Sequence, residues 1–96
     1  MLAHNQEEKQ TIGKPNILLV PVDIITAIAR VREYGNEKYK DSESWKRVPS
    51  QEYINAIWRH LIAMEDNIFA KDEESGLYHL WHIACNVAFL CFNINR

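Results

Sequence analysis

Apolar positions along the chain gather into one short run and three longer periodic segments. The short run, NILLVPV at 16–22, is too brief for a helix. No second strand-like segment is available to pair with it, so it predicts an extended strap on the core. The first helix starts near Pro21, a residue suited to a first helical turn, and runs through VDIITAIARVREYG. Ile24, Ile25, Ile28 and Val31 form its apolar stripe, with Thr26, Arg30, Glu33 and Glu37 on the opposite face. Gly35 interrupts or caps this helix, unless the pattern resumes through Glu37 and Lys38. KDSESWKRVPS reads as a loop, and Ser50 as the N-cap of a second helix over about 51–70. That helix carries a main stripe of Ile54, Ile57, Trp58, Leu61 and Ile68. A narrower line of Tyr53, Ala56, His60 and Ala63 suits a close helix neighbour.

The third helical segment, 77–95, contains no Asp, Glu, Lys or Arg. Its length approaches that of a membrane span. His79, His82, Asn86, Asn93 and Asn95, however, are too many polar groups for hydrocarbon without a bundle to satisfy them. A helix apolar on nearly all sides is instead buried on nearly all sides, and two short helices cannot cover it. The expected fold class is therefore all-α. Three main helices follow an extended, mobile N-terminal arm at 1–15, and 16–96 form a single helical domain. Dimerisation or higher assembly completes the bundle.

Composition narrows the function classes. A 96-residue chain holds one domain. Its 47% apolar and 25% charged residues are the balance of a folded protein. Lys+Arg 11 against Asp+Glu 13 gives a net charge of −2, so no basic surface points to polymeric nucleic acid. Cys85 and Cys91, six apart on a helix, point about 120° away from each other. They cannot bridge, and read as reduced core thiols of a cytoplasmic protein. MLAHNQEEKQ has no apolar stretch of the kind a signal peptide needs.

Candidate chemistry concentrates on the uncharged helix. His79, His82, Asn86 and Asn93 fall within about 60° of one another at 100° per residue. Extending the register backwards brings Ser75 and Asp72 into the same line. Such a seam is either an internal hydrogen-bond network or the wall of a site. KDEESG at its head would cap the helix through Asp72 or Ser75, or offer oxygen ligands to Mg²⁺ or Mn²⁺. Glu33 and Glu37 repel weakly at i,i+4 unless a cation bridges them. His60 could meet His79 or Asp72 across the bundle, and a His/Asp/His cluster suits a transition metal. Trp45, near Lys40, Lys46 and Arg47, is either a lid over the core or a stacking platform for a base.

YGNEKY, the tryptophan of DSESW, RHLIA and DEESGLYHLWHIACNVAFL together resemble a phage and bacterial family, the N-terminal domain of dATP/dGTP diphosphohydrolase. This family is related in concept to MazG-like all-α nucleotide pyrophosphohydrolases. The resemblance runs from about Pro15 to the C-terminus. It implies a helical, oligomeric, Mg²⁺-dependent enzyme, with Mn²⁺ as an alternative, that acts on a deoxynucleoside triphosphate in the cytoplasm of the host. Carried over by position, it implies His60, Asp72 and His79 as catalytic residues, and Lys38, Tyr39, Trp45, Arg59, Ser75 and His82 as substrate-binding ones. The paired ExxE and ExxD carboxylates of MazG-like enzymes are absent. Their nearest stand-ins, Glu33 with Glu37 and Asp72 with Glu74, become the expected metal ligands. Two other readings stand beside this one: a non-enzymatic oligomeric phage protein, and a metal protein ligated by His60, Asp72, His79 and His82.

Overall fold

A computed structural model describes residues 13–96. They form three helices, α1 (Val22–Tyr39), α2 (Ser50–Met64) and α3 (His79–Ile94), with 3₁₀ turns at Ile17–Leu19 and Ser44–Arg47. Among the described residues there is no β-strand, only an isolated antiparallel bridge between Lys71 and Tyr78. The fold is all-α, as expected.

Uncharged α3 is the axis of the fold. It packs against both α1 and α2 and touches the Ser44–Arg47 turn, while α1 and α2 scarcely meet. The amphipathic helices each have one face to bury, whereas α3 is apolar enough to receive neighbours on two sides. Among the described residues, Ala27 and Val31 of α1, Tyr53 of α2, and His82 and Cys85 of α3 are buried. Trp45 closes one end by stacking on Phe89, with ring centroids 4.7 Å apart and planes at 17°, and by an edge contact with Phe92. The Tyr53 hydroxyl donates to the Trp45 carbonyl. Near the C-terminus of α3, the Asn93 amide donates to Ser50 Oγ at 3.0 Å.

Several boundaries and faces differ from the sequence expectation. Helix α1 passes through Gly35 without a break and stops where Lys40 turns left-handed, at φ 60°. The Lys40 amide there bonds the Asn36 carbonyl at 2.9 Å, an ordinary way to end a helix. Helix α2 ends at Met64 instead of near 70, and Ser50 is its first helical residue, behind Pro49, not its cap. Helix α3 begins at His79 because 70–79 fold as a tight hairpin. Asp72 N–H bonds Leu77 O at 2.8 Å, Gly76 N–H bonds Asp72 O at 2.7 Å, and His79 N–H bonds Ala70 O at 3.1 Å. Gly76 sits at φ 74°, a conformation that costs glycine no Cβ clash.

The two lines on α2 exchange roles in part, with Ala63 of the narrower line exposed and Ile57 of the main stripe half-buried. Tyr53, Ala56 and His60 turn inward, while Ile54, Trp58 and Leu61 of the main stripe lie exposed, Trp58 by 59%. Ile68, beyond the helix end, is exposed as well. Helix α1 behaves alike: Ala27 and Val31 are buried, but Ile24 and Ile25 face outward. NILLVPV is not a strap on the core; Ile17–Leu19 is a 3₁₀ turn with Leu18 93% exposed. No helix among the described residues is long and apolar enough to cross a membrane. The arm expected at 1–15 lies outside the described residues up to position 12.

Both cysteines are free, but only Cys85 is a core thiol; Cys91 is exposed. Burial pushes the Cys85 thiol up to about 11. A thiol reagent at pH 8 is therefore expected to modify Cys91 rapidly in the native protein and Cys85 only in denaturant, as two resolved phases. Equal rates in the native state would contradict this packing.

Candidate functional site

Because α1 and α2 diverge above α3, a cleft of about 620 Å³ opens between them. Its α1 wall carries Arg32, Tyr34, Lys38 and Tyr39; its α2 wall carries Tyr53, Arg59 and His60. Asp72 and Glu74 enter from the hairpin, while His82, Cys85, Asn86 and Phe89 of α3 form the floor.

The polar seam is the centre of this region. His60 Nδ1 and His79 Nδ1 are 2.8 Å apart, and the His60 and His82 rings stack with centroids at 4.6 Å and planes at 6°. His82 Nε2 is 2.7 Å from Ser75 Oγ. Ser75 Oγ also accepts from the Leu77 amide at 3.1 Å, and the Ser75 amide donates to Asp72 Oδ2 at 2.8 Å. Asp72 Oδ2 lies 3.9 Å from His82 Nε2. Asp72 and Ser75 thus reach the histidines, though not along a continued helix. The hairpin folds them back over the first turns of α3, and neither caps the helix, whose N-cap is Tyr78.

Electrostatics follow from this packing. Burial, with His82 and His79 adding to it, lowers His60 from 6.5 to about 4. Burial also lowers His82, against the opposing pull of Asp72. For Asp72 burial acts upward, but the Ser75 amide and hydroxyl outweigh it and hold the carboxylate below its usual range. At neutral pH a carboxylate therefore sits beside two unprotonated imidazoles, those of His60 and His82.

The expected phosphate and base contacts are placed less simply. Lys38 Nζ donates to both Glu74 oxygens, at 2.6 and 3.2 Å, and this keeps the ammonium charged. Tyr39 is 62% exposed, with Lys38 Nζ 5.2 Å from its ring centre. Trp45 is a lid packed on Phe89 that still reaches the cleft. The expected carboxylate set for Mg²⁺ does not assemble. Glu33 pairs with Arg30 and Glu37 with Lys40, both at the surface, while Glu74 is taken by Lys38. Among the described residues, the group whose donor atoms converge as metal ligands is His60, Asp72 and His79, within 4.8 Å of one another. Arg32 and Tyr34 are among the cleft residues that escaped the sequence reading. Arg32 donates to the Ser42 carbonyl at 2.7 Å and lies 5.6 Å over the Trp45 ring. Tyr34 meets His82 edge-on at 6.2 Å. Its i,i+4 spacing from Lys38 was the available signal.

The fold and cleft define a small all-α domain with a half-buried polar cluster in a cleft of a size that suits a small molecule. Comparison with known proteins assigns it: the family described as "dATP/dGTP diphosphohydrolase, N-terminal" matches residues 4–96, and the chain belongs to that family. A dATP/dGTP diphosphohydrolase of Salmonella phage PMBT28 is 28% identical over 84 residues, 88% of this chain. The chain spans 28% of the length of that relative. No solved structure matches the chain.

Neutral His60 makes stability depend on pH with a definite sign. The unfolded chain binds a proton near 6.5, the folded chain only near about 4, so acid favours unfolding. With chelator present, melting temperature is expected to hold above pH 6.5 and to fall between pH 6.5 and 4. The His60→Phe variant should fall less over that window. A parent whose stability is flat there would contradict burial of the neutral ring.

Proposed function

We propose that the chain is the nucleotide-handling domain of a deoxynucleoside triphosphate hydrolase, acting on dATP- or dGTP-like substrates in the host cytoplasm. One observation carries this reading: a single cleft gathers the cations Lys38 and Arg59, the aromatic Tyr39 and Trp45, and the polar cluster of His60, Asp72 and His82. Family membership supports it, and so does the name of the phage relative. Phosphoryl chemistry asks mainly for positioning and charge neutralisation. The triphosphate would lie along Lys38 and Arg59, displacing the Glu74 carboxylate from Lys38. The base would rest against Tyr39 and the cleft-facing edge of Trp45. His60, neutral and beside ionised Asp72, would orient the water that attacks phosphorus, with pyrophosphate or phosphate leaving.

Mg²⁺ as a resident ion fits these residues poorly. It asks for oxygen ligands in an octahedron, and three of the four expected carboxylates are held by Arg30, Lys40 and Lys38 instead. A second reading, nucleotide binding without cleavage, is favoured by the pairing of Glu33, Glu37 and Glu74 with basic side chains, which leaves the cleft without an assembled carboxylate set.

A panel of dNTPs with Mg²⁺ or Mn²⁺, scored for pyrophosphate, phosphate and nucleotide, tests the proposal. Turnover of dATP or dGTP is expected. Arg59→Ala should weaken nucleotide binding about 10- to 100-fold, the range for losing a hydrogen bond to a charged group worth ~1.5–3 kcal/mol. Binding without turnover would select the second reading, and absence of both would overturn the proposal.

The outward face of α2 supports assembly of this domain into a dimer or larger. Ile54, Trp58, Leu61 and Ile62 are 37, 59, 42 and 63% exposed along one side, an apolar surface of the kind that marks interfaces. Light scattering is expected to give at least a dimer at micromolar concentration, and Trp58→Glu to shift it toward monomer with helical circular dichroism unchanged. A parent that is monomeric at those concentrations would contradict this.

A further inference from the structure

We propose that His60, Asp72 and His79 form a three-ligand site for a first-row transition ion of the Zn²⁺, Co²⁺ or Mn²⁺ class, distinct from any Mg²⁺ that accompanies a nucleotide. The three donors come from separate places in the chain: the last turns of α2, the hairpin, and the first residue of α3. All three side chains are half-buried, and their donor atoms lie within 4.8 Å of one another. The two Nδ1 atoms point at each other across 2.8 Å. Two imidazoles on one ion with metal–nitrogen bonds of about 2.0–2.1 Å stand about 3.0–3.4 Å apart, depending on geometry. A movement of a few tenths of an ångström would thus turn the His–His contact into a ligand pair.

The surroundings favour the same chemistry. A ligating imidazole must be unprotonated and a ligating carboxylate ionised, which are the states that packing gives His60 and Asp72. Two nitrogen donors and one oxygen suit Zn²⁺, Co²⁺ or Mn²⁺ far better than Mg²⁺. Neighbouring groups hold the ligands in place. His82 stacks on His60, and Ser75 bonds both His82 and Asp72, so the carboxylate is aimed by the hairpin and not by a long free side chain. His60 and Asp72 also line the cleft, so a fourth coordination position would open toward it. Three protein ligands and one open position are the pattern of ions that bind water or substrate, while closed four-ligand sites are structural. This inference concerns the ion alone and stands whether or not the domain cleaves nucleotides.

Co²⁺ titrated into the chelator-stripped full chain at pH 7.5 is the test, read by its visible absorption. One equivalent is expected to bind, to be displaced by stoichiometric Zn²⁺, and to persist in a thousandfold excess of Mg²⁺. His60→Gln, His79→Gln and Asp72→Asn should each weaken binding at least tenfold. Cys91→Ser, at an exposed thiol on α3, should leave it unchanged. Ring-nitrogen NMR of the parent covers the case in which a variant fails to fold: with Zn²⁺ the Nδ1 signals of His60 and His79 should move to the metal-bound range. The proposal is overturned if no Co²⁺ binds, if Mg²⁺ displaces it, if the three variants bind as the parent does, or if the Nδ1 signals stay in place.

Discussion

Everything in the cleft depends on how the hairpin at 70–79 is fastened to α3. The fastening is a short chain of hydrogen bonds, from Asp72 to the Ser75 amide and from Ser75 Oγ to His82. His82 is one of the few buried residues among those described, so its polar nitrogen needs a partner inside. Ser75 supplies it. Once that bond is made, the hairpin is pinned over the first turns of α3, and Asp72 is held against the histidines instead of dissolving into solvent with its acidic neighbours. Gly76, at φ 74°, makes the reversal tight enough.

The same constraint explains the shape of the molecule. Helix α3 must accept α1 and α2 on separate sides while keeping a line of polar groups satisfied. The solution places small residues, Ala27 and Cys85, where helices approach, and histidines where the hairpin returns. Because α1 and α2 scarcely touch, space remains between them. The cleft is thus a consequence of a core organised around a single helix, and Arg32 and Lys38 of α1 with Arg59 of α2 border it.

Element types were legible in the sequence, because apolar periodicity and the uncharged stretch at 77–95 are strong signals. The faces were less so. A wheel projection ranks Ile54, Trp58 and Leu61 above Tyr53, Ala56 and His60 as core, since it weighs hydrophobicity and not closeness of approach. In the fold the ranking reverses. Asp72 and Ser75 were grouped with His79 and His82 by continuing a helical register through residues that are not helical. The neighbours came out together, but the geometry that joins them is a hairpin. The carboxylates Glu33 and Glu37 could not be placed by spacing, because each finds its cation one turn away on its own helix or at its end. The meeting of His60 with His79, residues 19 positions apart, was open to the sequence as one option, and the fold supplies its geometry, the two Nδ1 atoms 2.8 Å apart.

Amide hydrogen exchange across 72–79 probes the central claim, that His82 fastens the hairpin, with least interference from anything else. In the parent, the amides of Asp72, Ser75, Gly76, Leu77 and His79 all have acceptors and should be protected as one group. In His82→Phe that protection should collapse together, while amides in the second half of α3 keep theirs. Hairpin amides that exchange freely in the parent, or that stay protected in the variant, would contradict the account.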